Sequence, residues 1–122
     1  MSDGPRFENP EFTGTADAEA TIQRNHPEEL LHVPVAVSLY APDLDWAQSV
    51  CAQLAAHPDP RVRGNAVLGF GHLARRFRCL DRNIVMLIKA ALHDPSQYVR
   101  GQAVTAADDI AHYLHWTIDT DD

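Results

Sequence analysis

The chain has 122 residues, 45% of them hydrophobic, and a formal net charge of −7. That length and apolar content suit one small domain with a continuous core. The acidic balance, with a pI near 5.3, excludes a general nucleic-acid binder, which needs a basic face to displace counterions from phosphates. It suits a soluble protein with a cationic protein partner.

No stretch is long and apolar enough to span a bilayer. The start, Met1 to Gly14, is polar and broken by Gly and Pro, unlike a signal peptide. Cytoplasmic residence is the expectation. Lys89 is the one lysine among ten basic residues, an arginine bias that fits a GC-rich bacterial source. Cys51 and Cys79 make neither a disulfide framework nor a zinc set.

In chain order, residues 1–15 read as an irregular N-terminal arm, with Phe7 and Phe12 available to pin it to a neighbour. Ala16 to about Arg24 reads as a short helix, with Thr15 as cap and Asp17 and Glu19 near its positive end. Asn25-His26-Pro27 breaks it. Pro27-Glu28-Glu29 starts the next helix, and Pro34 inside Leu30–Tyr40 predicts a kink or a late start. The stretch 16–40 is read as a degenerate first repeat.

Two clearer repeats follow, 43–78 and 81–116. Asp43 or Asp45 caps a helix to about Ala56, with Trp46, Ala47, Val50, Cys51 and Leu54 at helical spacing. After the turn His57-Pro58-Asp59-Pro60, a helix from Arg61 to about Arg78 carries Val62, Ala66, Phe70, Leu73 and Phe77 on one stripe. Asp81 caps the following helix, with Ile84, Leu87, Ile88 and Ala91 apolar. Asp94-Pro95-Ser96 turns again. The last helix, about Gln97 to Trp116, buries Val99, Ala103, Ala106, Ile110 and Leu114. Residues 117–122 form an acidic tail.

The hexapeptide Val62-Arg63-Gly64-Asn65-Ala66-Val67 recurs as Val99-Arg100-Gly101-Gln102-Ala103-Val104, an offset of 37 from Val62 to Val99, and each copy follows an Asp-Pro turn. A fixed period of this size predicts stacked helical pairs. The fold class is therefore all-α, a short α-solenoid of stacked antiparallel helix pairs. The pattern of helix, Asp-Pro turn and Val-Arg-x-x-Ala resembles the HEAT-repeat family over roughly residues 43–115. That resemblance implies second helices lining an inner face, and a ladder of turn Asp and second-helix Arg between repeats. Those roles fall to Asp59, Arg63, Asp94 and Arg100.

Helical geometry places Arg61, Leu68, His72 and Arg75 opposite the buried stripe of the first long helix, with Asn65 at its flank. Tyr98, Thr105, Asp109 and His112 match on the last helix, with Gln102 at the flank. The inner face of a stacked-repeat protein is its usual binding surface. The candidate partner-binding residues are thus Asn65, Leu68, His72, Arg75, Gln102, Thr105, Asp109 and His112. Their side chains are read as not needed to fill the core.

Asp108 and His112, four apart, with His72 nearby, make a weak metal pattern without an H-E-x-x-H or Cys/His set, so no metal is expected. Nothing pairs a nucleophile with a histidine at a recognisable motif, and no phosphate-binding glycine loop is present. No catalytic residue and no cofactor are assigned. The Arg75-Arg76-Phe77-Arg78 cluster reads as cations complementing a helix C-terminus.

Small acidic HEAT-like proteins resemble bacterial immunity proteins, which neutralise a cognate toxin. The resemblance implies a non-enzymatic module that binds a toxin, here a cationic, nuclease-type one, with neither nucleic acid nor membrane as partner. The alternatives are a general HEAT-repeat adaptor, or a HEAT-like enzyme or lyase accessory protein using His72, Asp108, Asp109 and His112.

Overall fold

The computed structural model describes residues 12–118. The expectations for residues 1–11 and 119–122, Phe7 and most of the acidic tail included, lie outside the described residues. Seven helices and no strand are found among the described residues: α1 Thr15–Arg24, α2 Pro27–Leu30, α3 Val33–Tyr40, α4 Leu44–Leu54, α5 Pro60–Phe77, α6 Ile84–Leu92 and α7 Gln97–Leu114.

The first repeat is split by its prolines. The helix expected from Pro27 to Tyr40 stops at Leu30 and restarts at Val33. Pro34 then sits in the first turn of α3, where a missing N–H breaks no helical bond. The late start is the form the chain takes. Asp43, not Asp45, caps α4: its carboxylate accepts from the N–H groups of Asp45 (3.0 Å) and Trp46 (3.4 Å). Asp81 does not cap α6, which begins three residues later at Ile84. Its carboxylate accepts from Asn83 N–H and shapes the turn ahead of the helix.

Phe12 packs on Trp46, with ring centroids 6.0 Å apart. Helices α5 and α7 both end in a left-handed residue, Arg78 (φ 55°) and His115 (φ 59°).

The two Asp-Pro turns are not equivalent in register. Asp59 caps α5, whereas the cap of α7 is Ser96. Shifting Asp94 back by the repeat offset lands on His57. The bonding agrees: His57 Nδ1 accepts from Asp59 N–H at 3.0 Å, and Asp94 Oδ1 accepts from Ser96 N–H at 2.8 Å. Arg63 donates to the carbonyls of His57 and Pro58, and Arg100 to those of Asp94 and Pro95. Each repeat thus closes its turn with the same arginine.

Helix α5 is the hub, packing on α3, α4, α6 and α7. Phe70, Leu73, Val62, Ile88, Val99 and Ile110 are fully buried around it. Its glycines set how closely neighbours approach. A Cβ on Gly69 would lie 2.9 Å from Cys51 Sγ and 3.2 Å from Ser38 Cβ; on Gly64 it would lie 2.7 Å from the Tyr98 ring. Helices α3, α5 and α7 are neighbours in turn, and α4 and α6 pack against them. This is the stacked-pair arrangement, with the second helices forming one layer.

Candidate partner-binding face

The ladder has one full rung. Arg63 Nε donates to Asp94 Oδ2 at 2.7 Å and its Nη2 to Asp94 Oδ1 at 2.8 Å, with both side chains under one-fifth exposed. Two parallel charge-assisted bonds fix the angle between repeats. They hold the Asp94 carboxyl below its ordinary range, with the Ser96 N–H adding to the effect against the cost of burial.

The other two ladder assignments need correction. Among the described residues Arg100 is in no ion pair, and it donates to the carbonyls of its own turn. Asp59 pairs with Arg61, not Arg63. Arg61, assigned above to the free face, bridges Asp59 and Glu28 at 3.0 and 3.1 Å. That pairing lowers the Asp59 carboxyl to about 2. One rung earlier, His57 Nε2 meets Asn25 Oδ1 at 2.7 Å.

The expectation that the face residues play no part in packing also needs correction. Asn65 is buried, and its Nδ2 donates to the Leu31 carbonyl at 2.9 Å. Tyr98, lying across Gly64, donates its hydroxyl hydrogen to Asn65 Oδ1. Gln102 Nε2 donates to that hydroxyl at 2.9 Å. Gln102, Tyr98, Asn65 and Leu31 thus form one polar chain that ties α7 to α5 and on to the turn before α3. Asp109 lies against Gly71: a Cβ there would be 2.8 Å from Asp109 Oδ2. Asn65, Gln102 and Asp109 therefore line the seam between helices, since helical spacing alone does not separate a flank facing solvent from one facing the next helix.

What remains open is Leu68, His72, Arg75, Thr105 and His112, all half-buried or exposed. Burial, then repulsion from Arg75, lowers the His72 pKa, while Asp109 opposes the shift. The shift favours the neutral imidazole of His72, which offers hydrogen-bonding groups without a charge. Thr105 hydroxyl donates back to the Gly101 carbonyl at 3.3 Å, and His112 sits edge-on to Tyr113 at 4.6 Å. On α3, Val35 and Leu39 are half-buried. By register they point away from Val33, Ala36 and Val37, which line the cavity against α1.

The basic cluster is largely structural. Arg76 donates to the Ser38 and Ala41 carbonyls at 2.9 and 2.8 Å, and so closes the C-terminus of α3. Arg78 lies over the Tyr113 ring and Arg82 over Trp116. The sequence reading missed Arg76 and Tyr98 as bridges. Their repeat register, 61 with 98 and 76 with 113, is the signal that places them on the side facing the preceding repeat. Among the described residues, no group of three or more His, Cys, Asp or Glu is placed to hold a metal ion, and no helix is long and apolar enough to cross a membrane.

No family model and no curated protein sequence matches the chain. Among solved structures, it is similar to a chain in the crystal structure of a CDI complex from Cupriavidus taiwanensis LMG 19424. The TM-score is 0.76 at 23% identity, over 91% of this chain and 98% of that one. The helical architecture is therefore one that a solved protein shares across almost its whole length.

Proposed function

We propose that this chain is a non-enzymatic protein-binding module of immunity type, which binds a toxin in the cytoplasm and blocks it. The observation that carries the reading is the end-to-end likeness to a chain of a CDI complex, contact-dependent inhibition being a toxin–immunity system. The net charge of −7 supports a cationic, nuclease-type toxin, since opposite charge speeds encounter and disfavours wrong partners. The bonded seam of α5 and α7 supports a rigid surface, which needs little ordering on binding. In this reading the partner meets the HEAT-like inner face at Leu68, His72, Arg75, Thr105 and His112. Asn65, Gln102 and Asp109 hold that face in shape from beneath.

The test is co-expression with the product of the neighbouring gene, which this reading expects to carry a toxin-like domain. The expected result is restored growth and a stoichiometric complex on size-exclusion chromatography. Absence of both rescue and complex would remove the immunity reading.

A further inference from the structure

The repeat that builds the α5–α7 seam leaves a second copy of one of its sides unused. On α5, Gly64, Val67, Gly71 and Ala74 lie on one side by spacings of three and four, and all are buried. The same register on α7 gives Gly101, Val104, Asp108 and Ala111, and all four are exposed. Three of the four keep the residue found on α5. A Cβ on Gly101 would meet nothing within 4 Å, whereas on Gly64 it would strike the Tyr98 ring. An exposed glycine inside a helix weakens it, and burial in this fold does not require one here.

The fourth position differs. Asp108 stands where α5 has Gly71, the residue over which Asp109 of α7 lies. A helix laid on α7 as α7 lies on α5 brings its residue at the Asp109 place over Asp108. A carboxylate there is repelled. A lysine or arginine is attracted, and is long enough to span the wider gap. Among the described residues, no basic side chain is paired with Asp108.

We propose that this edge of α7 is a second docking face for the protein partner, taking a helix with a basic residue opposite Asp108 and a flat, bulky side chain over Gly101. The proposal rests on the protein-binding reading for the existence of a partner. It extends the α5–α7 interface by one more step of the repeat. Charge decides against the other occupants: a second copy carries −7, and the chain beyond residue 118 holds Asp119, Asp121 and Asp122.

The probe is a capped synthetic peptide of residues 97–114 carrying Asp109→Lys. A hydrocarbon staple joins positions 104 and 108, on its far side, and circular dichroism confirms that it is helical. In low salt, fluorescence anisotropy against the full chain should show it binding about threefold tighter than the stapled peptide that keeps Asp109. Asp108→Lys in the chain should reverse that preference. Gly101→Leu should weaken both peptides about tenfold by filling the space over the glycine. Thermal melts establish that each variant is folded. The proposal is overturned by absence of binding of either helical peptide, by a preference that Asp108→Lys leaves unchanged, or by indifference to Gly101→Leu. Dimerisation of the native chain that Gly101→Leu abolishes would assign the edge to a second copy and overturn it as well. None of these measurements involves the toxin domain, so their failure is separate from a failure of the immunity reading.

Discussion

At the scale of single residues, the three arginines that follow the two Asp-Pro turns differ in what surrounds them. Arg63 makes a two-pronged bond to Asp94 and two more to carbonyls, with little exposure. Arg61 pairs with Glu28 and Asp59, but nearly half of its side chain is in water, where ion pairs contribute little. Arg100 is exposed and, among the described residues, donates to two carbonyls without an ion pair. Arg63→Ala should therefore cost about 2 kcal/mol in urea unfolding, with Arg100→Ala and Arg61→Ala both milder. The same rung sets an acid limit. The folded Asp94 pKa lies below the unfolded one. Its contribution is thus complete above the ordinary carboxylate range and lost as pH falls through the folded value. Stability should drop below about pH 4, and the drop should be shallower in Arg63→Ala. Equal midpoints for the three variants at pH 7 would contradict the rung.

At the scale of helices, matched glycines give an internal control. Gly64 and Gly101 are the same position in successive repeats, yet one is buried beneath Tyr98 and the other open. Gly101→Ala should raise stability by about 0.5–1 kcal/mol, the helix propensity gain alone. Gly64→Ala gains the same propensity. It must also push aside a ring whose hydroxyl is held by buried Asn65, so it should lower stability. Thermal melts of the pair decide it; a similar shift in both would show that Tyr98 does not lock the seam. The helices were legible because apolar spacing and turn residues agree through 43–116. Two details were not. The hexapeptide repeat and the Asp-Pro repeat differ in offset, and only bonding shows that Asp94 matches His57 and Ser96 matches Asp59. Pro34 allows either a kink or a late start, and the choice depends on how α3 packs on α5.

At the scale of the whole molecule, the inner face was legible as a stripe and not as a surface. Spacing on one helix gives the direction of each side chain, but what it meets depends on the neighbouring helix. Asn65, Gln102 and Asp109 point into the seams with neighbouring elements and are used there; Leu68, His72, Arg75, Thr105 and His112 are left open. A probe of binding must therefore avoid the seam. Asp109→Arg would drive a longer side chain against Gly71 and confound recognition with folding. The double change Arg75→Glu with Thr105→Lys touches neither the polar chain nor the Arg63–Asp94 rung, and both positions are exposed. Surface changes of this kind move stability by about 0.5 kcal/mol or less. The melting temperature should accordingly stay within about 3 °C of the parent. Affinity for the toxin-like domain should fall about tenfold or more, if these side chains sit near the centre of the contact, where a few residues carry most of the energy. Met86, 72% exposed on α6, lies on the opposite layer, and Met86→Glu should leave affinity unchanged. Isothermal titration of the parent and both variants separates the outcomes. Loss in the double variant alone places the partner on the inner face, loss in Met86→Glu alone places it on the outer layer, and no loss in either removes both surfaces.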